Sequence, residues 1–135
     1  FSSVHVTLVP EQFMESVRAC DAAVIASGTA SLQTGLALKP FVIVYRVSPL
    51  TFMIARILAK TKHIGIVNIL AEKEIVPELL QNDFSVSNIT DNAVRLLQDH
   101  YYRETMIDEL KKIEEKLGEP GAYIRAAKCI EDFIN

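Results

Sequence analysis

Apolar residues recur along the chain with two different spacings, and each spacing predicts an element. Val4-His-Val-Thr-Leu-Val9 alternates apolar and polar positions and is β-branched, the pattern of a strand, with Pro10 either closing it or opening the helix after it. Phe13, Met14 and Val17 then share one helical face ending near Cys20. Ala22 to Ala26 reads as a second strand, and Leu32 and Leu36 mark the buried side of a helix that Lys39-Pro40 terminates. Phe41-Val-Ile-Val-Tyr45 is apolar throughout, as expected of a strand covered on both faces. Between Ser48 and Lys60, Leu50, Met53, Ile54, Ile57 and Leu58 give an amphipathic helix. His63 to Val67 reads as a short strand, with Asn68 just past its end.

From Ser87 onward the period is helical. Ser87 suits the cap of a helix through Leu97, with Ile89, Ala93, Leu96 and Leu97 on one side. A second helix, from about Tyr102 to Leu117, turns Met106, Leu110, Ile113 and Leu117 inward and offers Asp108–Lys112 and Lys111–Glu115 as ion pairs four apart. Gly118 stops it, and Pro120 starts a last helix with Tyr123, Ala127, Ile130 and Ile134 along one face. The alternation predicts an α/β fold: a Rossmann-like parallel sheet with flanking helices over 1–82, then a helical C-terminus over 83–135, in a single domain. In such sheets ligands gather beyond the C-terminal strand ends, here around Pro10, Ser27 and Arg46.

Composition narrows the function. Half of the 135 residues are hydrophobic and 23% are charged, a globular balance for one domain. A net charge of −3 and the lack of an aromatic-and-basic stretch argue against a nucleic-acid partner. Cys20 and Cys129 lie in apolar patterns, which predicts buried reduced thiols and a cytoplasmic setting. The most lipid-like region, Phe41 to Val67, is interrupted by Arg46, Arg56, Lys60 and Lys62, so it is not one spanning helix. Arg56, Lys60 and Lys62 form a basic side open to two readings: a solvated helix face, or peripheral contact with an anionic membrane. His63 has no second histidine or cysteine at ligand spacing and reads as structural. Because the chain opens on Phe1, a piece of a larger protein is expected.

The candidate chemistry sits at Ala26-Ser27-Gly28-Thr29. A strand that ends in Ser-Gly-Thr and runs straight into a helix is equipped to hold an anion. The helix N-terminus carries unpaired N–H groups and roughly half a positive charge, Gly28 lets a ligand approach, and Ser27 and Thr29 add hydroxyls. The same residues also fit a plain helix cap.

Five blocks, Ala26-Ser-Gly-Thr-Ala-Ser-Leu32, Pro40-Phe-Val-Ile-Val-Tyr-Arg46, Ser48-Pro-Leu-Thr51, Val67-Asn-Ile-Leu-Ala71 and Val76-Pro-Glu-Leu-Leu-Gln81, resemble in order and spacing the C-terminal half of the lipid-A-disaccharide synthase family. The resemblance implies the C-terminal half of a two-domain GT-B glycosyltransferase. Such an enzyme transfers diacylglucosamine from UDP-2,3-diacylglucosamine to a diacylglucosamine 1-phosphate, with inversion, forming the β-1′,6-linked lipid A disaccharide. It implies a diphosphate-binding role for Ser27, Gly28 and Thr29, with no metal and no cofactor beyond the UDP-sugar substrate. Asn68, Glu78 and Gln81 match family positions and are expected in the nucleotide-sugar site. Arg46 also matches, divided evenly between a phosphate contact and a structural ion pair.

Two departures bear on that expectation. The family's glutamate after Ser-Gly-Thr-x-x-Leu, suited to the ribose hydroxyls, is Gln33 here, and Val67 and Glu72 replace a proline and a glycine around the Asn68 block. The acceptor pocket and the general base belong to the family's N-terminal half, so no catalytic base is assigned and the chain alone is expected to be inactive. Two alternatives stand beside this reading: a non-catalytic remnant or split subunit acting through a partner chain, and another UDP-sugar GT-B enzyme. The resemblance also makes Tyr123 to Ile134 a candidate homodimer surface, and it places the protein in the cytoplasm with an option of peripheral inner-membrane contact.

Overall fold

A computed structural model describes residues 4–48, 62–119 and 121–134. Helix α1 (Phe13–Ala19) leads to strand β1 (Ala23–Ala26), helix α2 (Thr29–Leu36) and strand β2 (Phe41–Tyr45). A short helix α3 (Ile66–Ala71), strand β3 (Glu78–Leu80) and a 3₁₀ turn (Gln81–Asp83) follow. Helices α4 (Val86–Gln98), α5 (His100–Leu117) and α6 (Ala122–Ile134) complete the chain. The described strands form one parallel sheet in the order β1-β2-β3, with Ala26 level with Val44 and Tyr45 level with Leu80. The expected Rossmann-like class is thus present, with its helical C-terminus.

The core forms around β2. Phe41, Val42 and Ile43 are all fully buried, and because successive strand side chains point to opposite faces, both sides of the sheet are covered. Val67 of α3, Leu96 of α4, and Met106 and Leu110 of α5 close over it. Helix α2 buries Ser31, Thr34 and Gly35, while Leu36, expected inward, is exposed. The small face has a steric reason: a Cβ on Gly35 would lie 2.9 Å from Val67 Cγ1 and 3.3 Å from Leu110 Cδ2. The buried hydroxyls are satisfied within the helix, Ser31 Oγ donating to Gly28 O at 2.6 Å and Thr34 Oγ1 to Ala30 O at 2.8 Å.

Several expectations are corrected. Residues 4–9 are not a strand: Val4, Val6 and Leu8 are exposed, and the segment pairs with none of the described strands, so its backbone groups have no ladder. Residues 63–65 are irregular and Ile66 already opens α3, so Asn68 lies inside a helix rather than past a strand end. Glu78 begins β3. The cap of α4 is Ser85, whose side chain accepts from Asn88 N at 3.2 Å, rather than Ser87. On α5 the expected four-apart partners are replaced by ones three apart, Lys111 with Asp108 at 2.9 Å and Lys112 with Glu109 at 2.6 Å. Leu97 and Leu117 are exposed, as is the whole of α6. Cys20 is half-buried and Cys129 exposed, both as free thiols. The helix expected between Ser48 and Lys60 and the helix start at Pro120 lie outside the described residues.

Candidate functional site

The C-terminal edge of the sheet gathers part of the expected set. Ser27 follows β1 and its N–H donates to Val44 O at 3.1 Å, so the chain stays attached to β2 up to the turn. Gly28 is the N-cap of α2, with φ of +151° and ψ of −164°, a backbone that side-chain-bearing residues rarely adopt. A Cβ built there meets nothing within 4 Å, so the space above the turn is open. No side chain caps α2. The cap reading of Ser27 and Thr29 is therefore not what the structure holds, and the first-turn N–H groups face an exposed Gly28-Thr29 edge. Thr29 and Gln33 are one helical turn apart on the same face. Gln33 is exposed and borders a shallow hollow with Met14, Arg18, Leu36 and Ala37.

Arg46 follows β2, and continuing the register brings it level with Gly28. It is exposed, and among the described residues no carboxylate pairs with it. Gln81 follows β3 at the same edge. Its side chain turns back on the chain after β2, Oε1 accepting from Val47 N at 3.0 Å and Nε2 donating to Val47 O at 3.1 Å.

Asn68 and Glu78 lie elsewhere, between α3 and the sheet. Asn68 is fully buried, and its carboxamide makes four hydrogen bonds. Nδ2 donates to Val76 O at 2.7 Å and to Glu78 Oε1 at 2.8 Å, and Oδ1 accepts from Ile75 N at 2.9 Å and Val76 N at 3.0 Å. The Glu78 carboxylate also accepts from Ile64 N and Gly65 N, both at 2.9 Å. His63 Nδ1 stands 3.9 Å from Glu78 Oε1. This network ties the entry of α3 to β3. It explains Gly65, where a Cβ would collide with Ile43 Cδ1. The bracing pairs Asn68–Val76, Glu78–Gly65 and Gln81–Val47 were not foreseeable from spacing, because each joins segments that meet only in the folded sheet.

Among the described residues no cluster of three or more His, Cys, Asp or Glu side chains is disposed to hold a metal ion, and no helix is long and apolar enough to cross a membrane.

A parallel sheet that delivers an uncapped, glycine-led helix start to its C-terminal edge defines a Rossmann-like α/β unit of the kind that binds ligands there. Comparison with known proteins narrows the class. Residues 2–131 match the lipid-A-disaccharide synthetase family, and the chain belongs to that family. It is 45% identical over 126 residues to a lipid-A-disaccharide synthase of Anaeromyxobacter dehalogenans, covering 93% of this chain and 33% of that protein. Relatives of the same name from Myxococcus xanthus and Geobacter sulfurreducens are 39% and 37% identical over 133 residues, each covering 98% of this chain and 35% of the relative. The chain spans about a third of the length of the curated relatives it matches.

Proposed function

We propose that this chain is the donor-binding part of a lipid-A-disaccharide synthase, holding the diphosphate of UDP-2,3-diacylglucosamine at the start of α2. The observation that carries the reading is the uncapped Gly28 turn, with open space above it, hydroxyls on both sides and Arg46 level with it. As the glycosidic bond breaks, negative charge grows on the UDP leaving group. N–H, hydroxyl and guanidinium donors fixed beside it would favour the transition state over the bound donor without a metal. Gln33, one turn on, would face the ribose. In this reading the diacylglucosamine 1-phosphate acceptor and the general base that activates it for inverting attack belong to the remaining length of the family's proteins.

One observation favours a second reading, a nucleotide-poor or non-catalytic subunit that works through a partner chain. Gln33 brings no carboxylate to the ribose position. A glutamine takes no charge-assisted bond, a difference of about 1–2 kcal/mol.

Calorimetric titration with UDP separates the two. Saturable binding that Gln33→Glu strengthens severalfold, and that a Ser27→Ala, Thr29→Ala pair weakens about tenfold, supports the donor site. A folded chain that binds UDP neither as wild type nor as Gln33→Glu would refute it.

A further inference from the structure

We propose that Gln81 is a positioning residue, whose carboxamide stands in for a missing rung of the sheet and thereby holds Arg46 beside the Gly28 turn. The proposal rests on the donor-site reading and gives Gln81 a task within it.

In a strand, the N–H and C=O of alternate residues point to the same neighbour. On β2, Ile43 N donates to Pro77 O on the β3 side, while Val44 O accepts from Ser27 N on the β1 side. Odd-numbered residues therefore face β3. The ladder with β3 ends at Tyr45 and Leu80. The next odd-numbered residue is Val47, and the backbone of β3 is no longer there to meet it. Gln81 has left the strand with φ of +50°, a left-handed conformation rare for a side-chain-bearing residue, and enters the 3₁₀ turn.

The Gln81 side chain restores what its backbone withdrew. Its carboxamide meets both the N–H and the C=O of Val47, at 3.0 and 3.1 Å, standing in for the acceptor and the donor that two further β3 residues would supply in a parallel ladder. Arg46 is thus held between a ladder rung at Tyr45 and a side-chain rung at Val47. It lies one step past the sheet, where the β1–β2 register, continued, brings it level with Gly28. Without the clamp Val47 loses both of its bonds to Gln81, and a segment that frays there presents its guanidinium to the turn for a fraction of the time. With its oxygen and its amide nitrogen both engaged by Val47, Gln81 acts on a ligand through Arg46.

The test is a double-mutant cycle on the whole chain, with UDP affinity by calorimetry and amide hydrogen exchange by NMR. Gln81→Met keeps the length and removes both bonds. It should weaken UDP binding about fivefold, and Arg46→Ala about tenfold, while the double variant stays within about twofold of Arg46→Ala alone. Exchange at Val47 and Ser48 should quicken in Gln81→Met, with Ile43 unchanged. If Gln81→Met does not fold, Gln81→Asn, which keeps the carboxamide but shortens its reach, takes its place with the same expectation.

Multiplying losses in the cycle, or unchanged exchange at Val47 and Ser48, would overturn the positioning role while leaving the donor site standing. A wild-type chain with no saturable UDP binding would overturn the donor-site reading itself, and with it the claim that the clamp serves a ligand.

Discussion

Asn68 offers a sharp separation between a residue that binds a ligand and one that holds the fold. Asn68→Ala removes four hydrogen bonds at a fully buried position and strands the N–H groups of Ile75 and Val76 and the C=O of Val76. A stranded buried polar group costs about 1–3 kcal/mol, and a water entering the vacated space recovers part of it, so a net loss of about 3–5 kcal/mol is expected. Domains of this kind hold about 5–15 kcal/mol in all. Urea unfolding followed by circular dichroism reads the difference directly: with a slope of about 1–3 kcal/mol per molar, the midpoint should fall by at least about 1 M. Asn68→Asp sharpens the test. It keeps the acceptors for Ile75 and Val76 but loses the donor to Val76 O and sets a second carboxylate against Glu78, where the two groups now touch at 2.8 Å. Two ionised carboxylates held that close repel, so the variant should be less stable than Asn68→Ala near neutrality. A loss below about 1 kcal/mol for Asn68→Ala would refute the bracing role and return Asn68 to the ligand site.

Other outcomes follow from the packing and the charges. Gly35→Ala gains about 1 kcal/mol of helix propensity but drives a methyl into Val67 and Leu110, so a net destabilisation of about 1–2 kcal/mol is expected in thermal melts, and a stabilised variant would contradict the close packing of α2 on α3 and α5. Hydrogen bonds from Lys112 and Lys73 hold the Glu109 carboxyl below its usual range. The stability it adds is complete above the ordinary value of 4.5 and disappears as the pH drops through the lowered folded value, so the melting temperature of Glu109→Gln should fall less than that of the wild type between about pH 5 and 3. Parallel acid titrations of the two would count against this pairing.

The chain's own order of residues was enough for the class of fold and for the turn that matters. An all-apolar Phe41–Tyr45 bounded by Pro40 reads as a strand covered on both faces, and Ala22–Ala26 followed by Ser-Gly-Thr and a helical period reads as a strand delivering a helix start. Both are local statements about side-chain periodicity and backbone freedom, and both hold in the fold. The family, too, was legible in the five ordered blocks, and the matched span of residues 2–131 bears this out.

What tertiary structure alone decided is where the matched polar residues go. Asn68, Glu78 and Gln81 are alike in sequence, polar residues beside apolar runs, yet Asn68 and Glu78 lie beneath α3 satisfying backbone groups, and Gln81 stands at the sheet edge completing a rung. The 4–9 segment has a strand's pattern without a strand's partner, and α6 has an apolar face that no described element covers. The physical reason is common to these cases: a hydrogen-bonding group or an apolar face is defined by what lies opposite it, and what lies opposite is set by segments 8 to 34 residues distant in the chain. At the Gly28 turn the two levels meet. The sequence by itself determined the glycine, the hydroxyls and the helix that follows; only the fold decided that the helix start is uncapped, open above, and level with Arg46.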